Sequence, residues 1–516
     1  MQLPAAPSYD VLRADFAWDL PARLNMAQQA CFDWAARDPS RVAIIEVVDA
    51  QRFDLTYGDL AVRVRGLAGH LTEQGVRAGD RVGVLRSQDG WCAAAHLAIW
   101  ALGAISVPLF KLFGPDALRV RLGDSGALHV VTDAEGAQML ALFAVEMHIP
   151  DACSLPDAAL TCADTTPDDP AILIYTSGTT GAPKGALHGH RVLTGHLPGV
   201  IVSHDLLGQA GDCLWTPADW AWIGGLFDVA MPGLALGVPV VAARMAKFTP
   251  EGAAQIMTLG GVRNVFFPPT ALKLLKAADA RIARLRSVAS GGEPLGAEML
   301  DWGRSALGVT INEFYGQTEC NMVASSCGAL FPARPGCIGR AAPGFDVAVI
   351  DDTGQPTGSE GEIAVRRGAA SMMLRYWNNP AATEAKFRGD WLLTGDRGVM
   401  EGDYIRFIGR DDDVITSAGY RIGPSEIEDC LLRHPAVAMA AVVGLPDPVR
   451  TEAVTAVVVL RDGATATEAD LQTHIRIRLS AHLVPRAVLF RDALPMTVTG
   501  KIMRKDLKRQ LTGASL

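Results

Sequence analysis

An apolar stretch, Ala171 to Tyr175, runs straight into a segment suited to anions: Thr176, Ser177, Gly178, Thr179, Thr180, Gly181, Ala182, Pro183, Lys184 and Gly185. Its glycines let the backbone approach a ligand closely. Hydroxyls and exposed N–H groups can hydrogen-bond phosphate oxygens, and Lys184 adds a point charge. Taken alone, such a cluster reads equally well as a surface loop. It lacks the GxxxxGK[ST] spacing of a Walker loop, and the chain has no GxGxxG dinucleotide fingerprint. Near the other end, Lys501 sits in a basic tail with Arg504, Lys505 and Lys508. A positioned ammonium can offset charge building on phosphorus oxygens, but from the tail alone a solvated lysine is the better reading.

Five further segments accompany the loop and Lys501 in order. They are Ser290-Gly-Gly-Glu-Pro-Leu295, Tyr315-Gly-Gln-Thr-Glu319, Leu393-Thr-Gly-Asp396, Gly409-Arg-Asp-Asp-Asp-Val-Ile-Thr-Ser-Ala-Gly-Tyr-Arg421 and Pro495-Met-Thr-Val-Thr-Gly-Lys501. With the Tyr175 to Gly185 run, this series resembles the signature of the adenylate-forming superfamily. Within it, the motifs are most similar to those of acetyl- and medium-chain acyl-CoA synthetases.

The resemblance implies ATP, Mg2+ and coenzyme A as cofactors and assigns roles by position. Thr176, Ser177, Gly178, Thr179, Thr180 and Lys184 would hold phosphates. Gly292, Glu293, Pro294, Glu313, Phe314, Tyr315 and Gln317 would form the nucleotide pocket, with Tyr315 stacking on adenine. Thr318 would bind the α-phosphate, and Glu319 would be the metal ligand. A hard carboxylate oxygen suits Mg2+. Asp396 would accept both ribose hydroxyls, as its two oxygens allow. Arg410 would contact ribose, Arg421 a phosphate or the hinge-side network, and Asp412 would be the hinge. Lys501 would bridge the acid and the α-phosphate as the catalytic cation. It also stands where relatives are switched off by lysine acetylation, which makes an acetyltransferase and a deacetylase candidate partners.

Coenzyme A is expected as acceptor on three grounds. Only fifteen residues follow Lys501, so no fused carrier domain is expected. Trp215-Thr-Pro-Ala-Asp-Trp-Ala-Trp-Ile-Gly-Gly225 is similar to a segment of acetyl- and medium-chain synthetases. Ser417, Ala418, Gly419, Tyr420 and Arg421 resemble a stretch lining the pantetheine tunnel. Arg476 matches a CoA-phosphate arginine, although a solvated helix arginine is the simpler reading. Trp222, Gly224, Gly291 and Gly316 would line the acyl pocket. Gly316 replaces the Trp that closes acetate-specific pockets, and Gly224 replaces a larger residue. Each extra buried methylene contributes about 0.8 kcal/mol, so a medium-chain, branched or aromatic acid is expected. A ligase that loads a carrier protein and a catalytically silent acyl or nucleotide sensor remain as alternatives. Cys320 and Asn321 depart from the family pattern, and no base is placed to make Cys320 a nucleophile.

These residues need elements to hold them. Strand-like runs (Val82 to Leu85, Ala127 to Thr132, Ala171 to Tyr175, Pro239 to Ala242, Asn264 to Phe267) alternate with helical patterns such as Tyr57 to Gln74 and Thr270 to Ala278. That alternation predicts α/β architecture with helix-covered sheets. Antiparallel strands are expected at 346–351, 361–365 and 404–408. After residue 411, helices at 424–433 and 468–481 flank strands at 438–443 and 454–460. The family fold then implies a large N-terminal domain over 1–411 with a small barrel-like subdomain, and a small mobile α+β domain over 412–516.

At 516 residues the chain exceeds a single core. Its 20% charged residues and net charge of −9 exclude disorder and disfavour nucleic-acid or anionic-membrane binding. Nine cysteines without a CxxC predict neither a disulfide framework nor a structural zinc site. The acidic N-terminus has no signal-peptide pattern, so a cytoplasmic location is expected. Trp91 to Phe110 lacks charge and is nearly long enough to span a membrane. It is better read as a buried helix ended by Gly103, followed by a strand. Oligomeric state is left open, with a homo-oligomer among the options.

Overall fold

A computed structural model describes residues 3, 8–152, 155–176, 183–282, 284–292, 295–410, 413–417, 420–447, 451–479, 483–497 and 501–513. The strand–helix alternation folds into two sheets. The smaller has seven strands, ordered Arg375–Tyr376, Lys184–Gly189, Pro170–Thr176, Ile105–Pro108, Arg81–Leu85, His129–Thr132 and Glu146–His148. The last five run parallel, and the pair nearest the phosphate-loop segment is antiparallel. Parallel strands need cover on both faces. Helix Tyr57–Glu73, started by a Thr56–Asp59 capping box, supplies part of it.

The charge-free segment behaves as a core helix. Helix Gly90–Ala101 buries eleven of its twelve residues, ends near Gly103 at φ +69°, and leads into strand Ile105–Pro108. Apolar residues on every face fit a helix surrounded by protein. Among the described residues, no helix is long and apolar enough to cross a membrane.

The larger sheet has fourteen strands. Parallel strands, including Val42–Val48, Asn264–Phe266, Ser287–Gly291 and Ile311–Gln317, form one part. Strand Ile311–Gln317 then turns into antiparallel strand Asn321–Ser325. Strands Cys337–Ala341, Tyr404–Arg410, Trp391–Glu401, Gly361–Arg366 and Val347–Ile350 extend it. The barrel-like part of the expectation needs correction. These strands add to the free edge of Ile311–Gln317 and do not close on themselves.

Chain beyond Ile415 builds a separate five-stranded sheet from Ile415–Ser417, Tyr420–Ile422, Val437–Asp447, Thr451–Leu460 and Ala487–Phe490. Helices Pro424–Leu432 and Glu468–Arg478 cover a core that includes Ile427, Val442, Val458 and Ile475. The second helix was expected to reach residue 481. It ends at Arg478, and 480–482 lie outside the described residues. All eight described cysteines are free thiols, seven of them buried.

Candidate active site

The strands on either side of the segment expected to bind anions, Pro170–Thr176 and Lys184–Gly189, pair antiparallel. Thr176 and Lys184 are register partners, and the Thr176 hydroxyl donates to the Lys184 carbonyl at 3.4 Å. Ser177, Gly178, Thr179 and Thr180 lie outside the described residues. Strand Arg375–Tyr376 pairs along the Lys184 strand, with Tyr376 opposite Ala186. This places the Lys184 ammonium 5.4 Å from the centre of the Tyr376 ring. The Tyr376 hydroxyl donates to Glu319 Oε1 at 2.5 Å. One tyrosine therefore links the loop cation to the carboxylate expected to hold metal. Glu319 is buried at 9% exposure, and a buried anion needs such a partner. Thr318 sits half-buried in the intervening turn, which the Cys320 N–H closes onto the Gln317 carbonyl at 3.1 Å.

A second group draws on three strands, Ile311–Gln317, Trp391–Glu401 and Tyr404–Arg410. The Tyr315 hydroxyl donates to Asp396 Oδ2, and Gln317 Nε2 donates to the same oxygen at 2.8 Å and to the Thr394 carbonyl at 2.7 Å. Lys386 Nζ donates to Gln317 Oε1 at 3.2 Å. Arg410 faces Asp396 across the antiparallel ladder. Asp396 is 5% exposed. Burial pushes its carboxyl pKa up, and Tyr315, Arg410 and Gln317 pull it back. The arrangement fixes the Asp396 carboxylate in the middle of strand Trp391–Glu401.

Lys501 arrives from the last sheet unit. Its N–H donates to Thr497 Oγ1 at 3.1 Å, and the Thr497 N–H donates to its carbonyl at 2.8 Å. Three residues on, Arg504 grips Glu428 at 2.6 and 2.8 Å, and Glu428 also accepts from the Val442 N–H. That bidentate pair ties the lysine segment to helix Pro424–Leu432. The side chain points at Gly292, where an added Cβ would lie 3.5 Å from Lys501 Cε and 3.7 Å from Nζ. Gly292 follows strand Ser287–Gly291, and its φ of +100° is a conformation that favours glycine. Next to it, Gly291 allows the Phe314 ring to pack closely, since a Cβ there would come within 2.5 Å of the ring. Glu313 is buried, and burial raises its carboxyl pKa well above the usual range.

On the acyl side, Trp222 packs edge-on against Phe110 and Phe113 at 5.4 and 5.8 Å. Phe266 contacts Phe314 at 5.1 Å between ring centres. A Cβ on Gly224 would lie 3.1 Å from Phe266 and 3.4 Å from Asp228 Oδ2, so even a methyl there would need Phe266 to give way. Gly316 is different. A Cβ would meet the Asn321 carbonyl oxygen at 1.9 Å, because the β-bulge at Tyr315/Gly316 brings the partner strand against it. The missing side chain at Gly316 therefore leaves no hole along its Cβ direction. Asn321, whose φ is +61°, occupies that place. Burial pushes the Cys320 thiol up to about 12, which keeps it protonated and non-nucleophilic near neutrality.

Sequence reading missed several of these groups. Tyr376 and Lys386 fall in no recognised motif, and Thr394, although inside the Leu393–Asp396 segment, is given no role by it. Asp228 and His196 are buried and joined at 2.5 Å beside Gly224. A buried Asp in the apolar run Leu226 to Met231 was the available signal. Other expectations are not brought together here. Glu293, Pro294, Asp412, Ala418 and Gly419 lie outside the described residues, as does the Arg421 side chain. Arg476 is exposed on helix Glu468–Arg478.

Comparison with known proteins places this geometry. A model of the AMP-binding enzyme family matches residues 31–377, and one of the AMP-binding enzyme C-terminal domain matches 426–501. The chain is similar to mitochondrial acyl-coenzyme A synthetase ACSM4 of Rattus norvegicus, at 31% identity over 96% of this chain and 92% of that protein. Against the crystal structure of Brucella canis acyl-CoA synthetase it is 34% identical with a TM-score of 0.74, covering 98% and 99% of the two chains. Against anthranilate CoA ligase AuaEII in complex with anthranoyl-AMP, identity is 26% and the TM-score 0.87, covering 96% and 99%.

Proposed function

This chain belongs to the AMP-binding enzyme family as an AMP-forming acid–thiol ligase, and we propose that it converts a medium-chain, branched or aromatic carboxylic acid to its CoA thioester. The observation that carries the reading is the approach of Lys501 to Gly292, at the end of the strand that runs beside Phe314 and Tyr315.

In the first step a carboxylate oxygen attacks the α-phosphorus of ATP, and the bond to pyrophosphate breaks. Lys184 and the loop from Thr176 hold the phosphates. Asp396 takes the ribose hydroxyls, with Tyr315 and Gln317 fixing its orientation. Glu319, a hard oxygen donor steadied by Tyr376, fits a Mg2+ ion. Mg2+ bound there would offset charge on the departing pyrophosphate. Lys501 stabilises the charge that builds on the α-phosphate oxygens. In the second step the CoA sulfur attacks the acyl carbonyl carbon, the thiol proton leaves to solvent, and AMP departs. Residues 412–516 turn about Asp412 between the steps, because Lys501 and the thiol need the same approach.

The acid class rests on Gly224 and the aromatic walls of Trp222, Phe266 and Phe314. Beside them stands Asp228, with Oδ1 held by His196 and Oδ2 toward Gly224. A plain alkyl chain leaves that oxygen unused, whereas an aromatic acid bearing a hydroxyl or amino group can donate to it. The test is a panel of acetate, C4 to C10 acids, benzoate and its hydroxy and amino derivatives, assayed by AMP and CoA-thioester formation. Highest kcat/KM on acetate would reject the acid class. Adenylation without transfer to free CoA would reject the CoA acceptor.

A further inference from the structure

The seven-stranded sheet carries the phosphate hairpin near one edge. Its opposite edge is the parallel pair His129–Thr132 and Glu146–His148. His129 is the register partner of Glu146, and His148 stands two residues further along the same strand. Side chains two apart share a face of a strand, so His129, Glu146 and His148 converge there. His129 Nδ1 lies 3.1 Å from His148 Nε2 and 3.5 Å from Glu146 Oε2. One donor atom from each of the three lies within 4.8 Å of the others.

Those separations match a metal's needs. Ligands about 2.0–2.1 Å from a tetrahedral zinc stand about 3.4 Å apart. The remaining nitrogen of His148 is also engaged, since Nδ1 lies 3.2 Å from His70 Nε2 on the last turn of helix Tyr57–Glu73. A metal-bound imidazole ordinarily has its second nitrogen held in this way, which sets tautomer and ring orientation. His148 is 3% exposed, whereas the Glu146 side chain is 48% exposed. The cluster therefore has a fixed inner wall and a solvent-facing side where water can complete the shell.

We propose that His129, Glu146 and His148 bind a divalent transition cation of the zinc class, with His70 as the positioning residue behind His148. Imidazole and carboxylate ligands suit zinc better than they suit calcium or magnesium, which take oxygen. The bound ion pins the three-residue edge strand Glu146–His148 to its neighbour. This reading uses no cysteine, so a sequence search keyed to cysteine pairs passes over it. It is also independent of the ligase chemistry.

The test uses the full chain, stripped with a chelator and then titrated with Zn2+ in competition with a chromogenic chelator. Co2+ provides a spectroscopic check. One tight equivalent is expected, with the intense visible absorption of four-coordinate Co2+. Glu146→Gln and His129→Gln, at the more open positions, should each weaken Zn2+ by about tenfold or more. His70→Asn should weaken it by about 10- to 100-fold, the range for outer-shell partners, and circular dichroism should show all three variants folded. No binding, binding unchanged in Glu146→Gln and His129→Gln, or only the weak spectrum of six-coordinate Co2+ would overturn the proposal. The cluster would then be a proton-sharing chain of imidazoles.

Discussion

The side chain of Lys501 ends beside Gly292, within 3.7 Å of where a β-carbon would stand on that glycine. These residues are 209 positions apart, and their meeting brings the tail to the end of the strand that pairs with Ile311–Gln317. Gly292 supplies both the open space and the positive φ at that point. The proposed first half-reaction asks for a lysine standing over the nucleotide.

The phenol of Tyr315 helps keep Asp396 ionised. Burial raises the Asp396 pKa, and the Tyr315 hydrogen bond is the largest effect opposing that rise. Tyr315→Phe should therefore raise it further. A carboxylate accepts both hydroxyls above its pKa and loses that ability as pH falls through it. The variant should show KM for ATP raised by about tenfold, as for loss of a hydrogen bond to a charged group. The defect should grow as pH is lowered from 8 to 5.5. A uniform defect at every pH would contradict this role.

Tyr376 should govern metal use. Its hydroxyl orients Glu319 while its ring lies near Lys184. In Tyr376→Phe, the Mg2+ concentration giving half-maximal pyrophosphate release should rise by about tenfold, in the range for partners behind a metal ligand. An unchanged Mg2+ requirement would remove Tyr376 from the site.

Much of this was legible in the chain. Tyr315 and Gln317, which meet at Asp396, and Thr176 and Lys184, which are register partners, lie within short runs already singled out by their residue types, and the helix over 57–73 follows from its apolar spacing. Tyr376 and Lys386 were not legible, because each acts through a contact made only when distant strands pair. Gly316 shows a similar limit: its resemblance to the Trp position of acetate-specific relatives suggests an opening, while the bulged hairpin fills its Cβ direction with the Asn321 backbone. The α/β architecture with a large and a small part holds, whereas the barrel-like detail came from the family fold and the strands instead extend one open sheet.

Asp429 couples pH to the arrangement of the two parts. Its carboxyl packs against Gly296, where a Cβ would lie 3.2 Å from Cγ. Burial and then Glu428 raise its pKa from 3.8 to about 7, with Glu426 adding to the rise and Arg433 and Lys273 opposing it. With the pKa raised in this arrangement, the protonated form is favoured. The cost of the contact is absent below about 4, grows as pH rises, and is complete above about 7. Asp429→Asn removes that cost. Adenylation at pH 8 should then be faster by about three- to tenfold, with a smaller gain at pH 6 that vanishes only as pH falls toward 4. Parallel pH profiles for variant and parent would refute the coupling.

The most direct test separates the half-reactions in Lys501→Ala. Pyrophosphate release from acid and ATP should fall by about a hundredfold or more. Thioester formation from supplied acyl-adenylate and CoA should proceed near the parent rate. Equal loss in both steps, or normal pyrophosphate release, would contradict the assignment of Lys501 to adenylation.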